Sequence, residues 1–204
     1  MSHISNKIPI YHSVHQPSQV IGSATPSSRQ ATKVKINPIR QQTQFTCVSA
    51  SISMALNSLG FQTTEADIDQ LVQAQPMDGA DWVKIISCLQ HFGCRSNLVV
   101  PSTVNQIKNW TDQGKPVLIS WNPENKPWSH ASVVFDVQTD QSGITKVFVA
   151  DPNIPIPDQT VRVVPSEIFY RKWVEKDALP NIRRPALFIE REIDRNGHPT
   201  MSGW

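Results

Sequence analysis

The apolar residues of this chain change period once, and that change limits what it can fold into. From Cys47 to Leu59, residues Ile52, Met54, Ala55, Leu56 and Leu59 recur at helical spacing, and Gly60 follows where a helix must stop. Thr64-Glu65-Ala66-Asp67 then opens a second helix, with Thr as cap, acids in the positive first turn, and Ile68, Leu71 and Val72 on one face. Trp82, Val83, Ile85, Ile86 and Leu89 give a third helix over 80–91, ended by Gly93. Residues 94–100 read as a strand, and 102–113 as a helix carrying Val104, Ile107 and Trp110. Beyond Gly114 strand patterning takes over, at 115–121, 131–138, 146–150, 161–164 and 186–190. A short helix with Ile168, Phe169 and Trp173 interrupts it, and Asp140-Gln141-Ser142-Gly143 marks a hairpin loop. An earlier strand is expected at Val34–Ile39. Helices first and a mainly antiparallel sheet second is an α+β order, not the alternation of a doubly wound sheet.

Three segments follow. Residues 1–33 are rich in Ser, Pro, Gln and His and bury too little apolar surface to offset their ordering entropy, so they read as an extended or mobile arm. Residues 34–193 carry the periodic signal and form one domain. Residues 194–204 are short of core side chains and read as a tail. A formal charge of +2 gives no basic excess for nucleic acid. No apolar run approaches the 18 residues of a membrane span, and the N-terminus lacks the apolar core of a secretory signal. Three cysteines, Cys47, Cys88 and Cys94, without a C-x-x-C, suit a reduced cytoplasmic chain with free thiols. Cys88 and Cys94 fall among apolar residues and read as core. His12 and His15 alone make a poor metal site, so neither metal nor cofactor is expected.

The chemistry lies in three places. Cys47 follows the loop Gln41-Gln42-Thr43-Gln44-Phe45-Thr46 and starts a helix. The positive dipole end and the free N–H groups of a first helical turn stabilise a thiolate, the form that attacks carbonyl carbon. The Cys47 N–H and a preceding Gln amide are available to a developing oxyanion. His130 stands at the mouth of a strand after a loop with Pro123 and Pro127. Asp151 ends the next strand, and the hairpin between them brings both to one end of the sheet. Each feature alone is weak; together they supply nucleophile, base and orienter. Trp121 and Trp128 flank the loop before His130 and are read as walls of a substrate cleft.

In order and spacing these residues resemble papain-like cysteine peptidases of the bacteriocin-processing (double-glycine leader) type and their stand-alone relatives. That family places a Gln six residues before its catalytic Cys, as Gln41 stands before Cys47, whereas Gln42 and Gln44 miss the spacing. Its Cys-Gly-x-Ala run is similar to Cys47-Val48-Ser49-Ala50, and Met54 and Gly60 fit the rest of its helix. Gly79 and Gly93 around a short helix, Gly114-Lys115-Pro116-Val117, His130, Asp151-Pro152 and the pair Phe169 and Trp173 follow in family order. The resemblance spans residues 35–190. It implies a papain-like fold in which the nucleophile helix of an N-terminal helical half packs on the antiparallel sheet. It also implies a Cys47–His130–Asp151 triad with Gln41 at the oxyanion. Trp121, Trp128, Val48 and Gly79 are the expected substrate-side residues.

The expected activity is hydrolysis of a peptide or isopeptide bond, with a peptide or protein as partner and the oligomeric state left open. An acyl or γ-glutamyl transferase would use the same residues. So would a catalytically silent peptide-binding module, a reading favoured by Val48 where the family has Gly. Inhibition or tethering through the Pro/Ser-rich arm is a further alternative.

Overall fold

The computed structural model describes residues 33–75, 81–154, 161–175 and 182–193. The arm up to residue 32, the C-terminal tail and Gly79 lie outside them. The described elements are helices α1 (Cys47–Ser58), α2 (Glu65–Val72) and α3 (Trp82–His91), strand β1 (Cys94–Val99) and helix α4 (Val104–Thr111). Strands β2 (Val117–Trp121), β3 (His130–Thr139), β4 (Thr145–Ala150) and β5 (Val161–Pro165) follow. Helix α5 (Ser166–Lys172) and strands β6 (Val174–Glu175), β7 (Ile182–Arg183) and β8 (Ala186–Arg191) complete the order. Six strands form one sheet in the order β1-β8-β2-β3-β4-β5, every neighbouring pair antiparallel, and β6 pairs with β7 apart from it. This is the mixed α+β architecture expected from the order of elements.

Two apolar layers explain the strand sequences. Leu118, Ala131, Val133, Ala150, Leu187 and Ile189 pack with the buried faces of α1, α2 and α3. Val117, Ile119, Trp121, Val134, Val137, Val147 and Val149 pack on the other face with Val104, Ile107, Phe169 and Trp173. Because both faces are covered, β2 is buried at every position rather than at alternate ones. Truncating Trp121 or Trp173 to Ala in such a layer costs about 3–5 kcal/mol.

Helix α1 is buried from Cys47 through Leu56, so its polar residues need partners inside the protein. Ser49 Oγ donates to Asp69 (2.7 Å), Ser51 Oγ to the Ala131 carbonyl (3.1 Å) and Ser53 Oγ to the Thr63 carbonyl (2.8 Å). These bonds fix the rotation of α1 between α2 and the sheet. Gly60 and Gly93 end α1 and α3 at φ of 90° and 67°, the left-handed region that a glycine enters without strain. Two differences from the sequence reading stand out. Val34–Ile39 forms no ladder, although Val34 is buried. An apolar alternation makes a strand only where packing lays it along a sheet edge, and here Ile36 and Ile39 pack against the first apolar layer instead. And β8, the last strand, inserts between β1 and β2.

Candidate active site

Cys47 is the first residue of α1, and 9% of its surface is exposed. Thr46, the N-cap residue, does not cap the helix with its side chain. Its hydroxyl instead accepts the Thr43 N–H (3.1 Å) and closes the preceding loop on itself. The His130 imidazole and the backbone N–H groups of Ala131 and Val48 act on the sulfur and favour its ionised form.

His130 opens β3, paired with Trp121 at the end of β2. Its Nε2 meets Asp151 Oδ1 at 2.5 Å, which leaves Nδ1 for the sulfur. Asp151 follows β4 directly and is fully buried. Its Oδ1 also accepts the Asn153 N–H (2.9 Å), and its Oδ2 accepts the Nε–H of Arg162 from β5. Hairpin and register thus bring side chains from α1, β3 and the end of β4 into one row: sulfur, imidazole, carboxylate.

The charges in that row sustain one another. Burial alone would push the Cys47 thiol up; the His130 hydrogen bond and charge, with the Ala131 and Val48 N–H groups, outweigh it and hold the thiol below its ordinary value. Burial would likewise lower the imidazole; its bonds to Asp151 and Cys47, and their negative charges, raise it from 6.5 to about 9. Asp151 resists burial through the His130 bond and charge, the Asn153 N–H and Arg162, and stays below the usual carboxylate value. The combined direction is toward a thiolate–imidazolium pair.

Gln41 lies in a loop pinned at both ends. Its N–H donates to the Pro152 carbonyl (3.0 Å), which ties it to the turn after Asp151. The next N–H, of Gln42, donates to both oxygens of buried Glu65 (2.9 and 3.1 Å). The Gln41 side chain is buried, and its Nε2 donates one proton to the Thr43 carbonyl (2.6 Å). An amide nitrogen has a second proton to give. A polar cleft of about 310 Å³, walled by Thr43, Thr46, Glu65 and Asp69, opens beside this loop.

The other expected site residues are placed differently. Trp128 is half exposed, two residues before His130, with Lys126 5.7 Å from its ring centre. Trp121 is no cleft wall. It is 1% exposed, packed on Phe169 and bonded through Nε1 to Ser132 Oγ (2.9 Å), because its strand position faces the second apolar layer. Val48 is buried in the first layer, so its side chain does not narrow a groove; it reaches the sulfur through its backbone only. Gly79 and the His12 and His15 pair lie outside the described residues. Cys88 and Cys94 are buried, and desolvation pushes both thiols up to about 12. Among the described residues no group of His, Cys, Asp or Glu is arranged to hold a metal, and no helix is long and apolar enough to cross a membrane.

The roles of two residues in this region escaped the sequence reading. Glu65 is the first-turn acid of α2 that the sequence indicates, and it also anchors the Gln41 loop. Arg162 passed as a strand residue; the available signal was one cation in the apolar run Val161-Arg162-Val163-Val164, eleven positions after Asp151.

Comparison with known proteins bears on the fold and the family. No curated protein matches the sequence. In structure the chain is similar to a double glycine motif protease from an AMS/PCAT transporter solved with its leader peptide (16% identity, 80% of this chain and 96% of that one, TM-score 0.56). It is also similar to the peptidase domain of Streptococcus ComA, a bifunctional ABC transporter of a quorum-sensing pathway (15% identity, 78% and 100%, TM-score 0.60). A C39-like peptidase from Bacillus anthracis aligns at 13% identity over 78% and 96%, with TM-score 0.57. At these identities the likeness is one of fold. The family model described as peptidase C39-like matches residues 33–178. The chain therefore belongs to the peptidase C39-like family and is a cysteine-type peptidase of papain-like fold.

Proposed function

We propose that this protein cleaves an amide bond of a peptide or protein through Cys47, His130 and Asp151, with Gln41 and the Cys47 N–H as the oxyanion hole. The observation that carries this reading is the His130–Asp151 hydrogen bond (2.5 Å) beside the Cys47 sulfur, which the imidazole holds below its ordinary thiol value at the start of α1. Cys47 Sγ attacks the carbonyl carbon, a C–S bond forms, and the carbonyl electron pair moves to oxygen. The Cys47 N–H and the second Nε2 proton of Gln41 bind that oxyanion. His130 gives its proton to the amine nitrogen as the C–N bond breaks. Water then attacks the thioester, passes a proton to His130 and releases the acid, which restores the thiolate. Asp151 fixes the imidazole and stabilises its protonated form.

The half-exposed indole of Trp128, adjoining the His130 strand, supports it as an apolar wall for substrate. The family match over 33–178 supports a peptidase domain at 34–193 between an arm and a tail. The structural neighbours make a leader-type peptide ending in two glycines the first substrate to try. Incubation of such a peptide with the protein should give cleavage after the glycines and a Cys47 acyl-enzyme detectable by mass spectrometry. Cleavage that persists in Cys47→Ala refutes the assignment.

A further inference from the structure

The two oxygens of Asp151 keep different company. Oδ1 accepts from His130 and from the Asn153 N–H. Oδ2 accepts from Arg162, whose strand position pairs with Val149 beside it. The outer nitrogen of the same guanidinium reaches Glu124 Oε1 (3.4 Å), and Glu124 also pairs with Lys126 (2.8 Å). Charges therefore alternate from the exposed loop to the sulfur: Lys126, Glu124, Arg162, Asp151, His130, Cys47. Among the described residues Cys47 of α1, Arg162 of β5 and Glu124 of the loop between β2 and β3 act electrostatically on the His130–Asp151 pair, and Lys126 is held on Glu124.

A general acid must hold its proton firmly enough to be charged and loosely enough to release it. A buried carboxylate that accepts from an imidazolium raises the imidazole's proton affinity, the more so the less its charge is shared. A guanidinium, charged at every working pH, offsets this from the far oxygen by sharing the carboxylate's charge and repelling the imidazolium. Burial and the Asn153 N–H keep the carboxylate in place meanwhile. We propose, on the triad reading above, that Arg162 is a positioning residue of the reaction. Its guanidinium binds the outer oxygen of Asp151 and makes the His130 imidazolium acidic enough to protonate the departing amine.

The test is a pH titration of ¹⁵N-histidine-labelled full-length protein by NMR, with the His130 ring assigned by its loss in His130→Gln. The wild-type imidazolium should titrate well above the ordinary value. Arg162→Gln should raise its midpoint by at least about half a unit, threefold in proton affinity. Arg162→Lys, which keeps the charge, should bring it back to within about a quarter unit of wild type. A midpoint unmoved or lowered by Arg162→Gln overturns the proposal. Should that variant fail to fold, Glu124→Gln decides. It releases Arg162 from a competing carboxylate and should lower the midpoint, and an unmoved or raised value is equally fatal. A wild-type His130 that titrates near 6.5 defeats the triad reading and this proposal together. A high wild-type midpoint that ignores Arg162 defeats this proposal alone.

Discussion

Three cysteines of this protein are buried, and they differ in acidity for reasons that have nothing to do with depth. At the junction of α3 and β1, Cys88 and Cys94 sit among apolar side chains and desolvation drives them up to about 12. At the start of α1, Cys47 suffers the same desolvation, yet a cation and two N–H groups overcome it. Burial fixes the size of the penalty; the partner fixes which protonation state pays it. A dry site also strengthens the attraction between thiolate and imidazolium, so the desolvation that raises the Cys88 thiol is outweighed at Cys47, where His130 is beside it.

The sharpest break of this contrast is Cys47→Ala. Peptide cleavage should fall by on the order of 10⁴-fold or more, with the thermal midpoint little changed, as followed by product chromatography and calorimetry. Next is His130→Ala, which turns Cys47 into a third Cys88. Its iodoacetamide alkylation rate at pH 7, read by mass spectrometry of the Cys47 peptide, should drop at least about 100-fold. A rate that holds would mean the helix start alone activates the sulfur.

Gln41→Ala separates binding of the oxyanion from activation of the thiol. Turnover should fall about 10²–10³-fold while Cys47 alkylation stays within about threefold of wild type. The pH profile gives a smaller, two-sided effect. Alkylation by iodoacetate, an anion drawn to the imidazolium, should decline as pH passes about 9 and His130 loses its proton. Stability follows the same linkage. His130 has a raised pKa, so its contribution is complete below about 6.5 and is lost as pH rises through about 9; Asp151 has a lowered one, so its contribution is present above about 3.9 and disappears as pH falls through its folded value. Thermal midpoints across pH, compared with His130→Gln, should show the alkaline loss in wild type only. The smallest effect is Cys88→Ala, with a stability change of about 1 kcal/mol in urea titration and no change in Cys47 alkylation.

Residues whose environment is set within a few positions were legible from the chain. Thr64 caps α2 in a box with Asp67, Gly60 ends α1, and the loop from Asp140 turns the β3–β4 hairpin, all through local geometry. The placing of His130 and Asp151 at one sheet end followed from the hairpin, because antiparallel strands return to where they began. Trp121 and Val48 went the other way. One β-strand position faces a layer that only the arrival of Phe169 creates, and one helix position faces a layer built from three helices and the sheet. An aromatic near a loop does not reveal which side of its strand will be covered.

The order of helices and strands, the cysteine at a helix start and the histidine and aspartate one hairpin apart are properties of sequence, since capping, periodicity and turn chemistry act over a few residues. The insertion of β8 between β1 and β2, the tie of Gln41 to Pro152, the grip of Glu65 on Gln42 and the approach of Arg162 to Asp151 belong to the tertiary structure. Each joins groups separated by eleven to more than a hundred positions. Their pairing is decided by which buried polar atoms and open strand edges remain unsatisfied once the two apolar layers have closed.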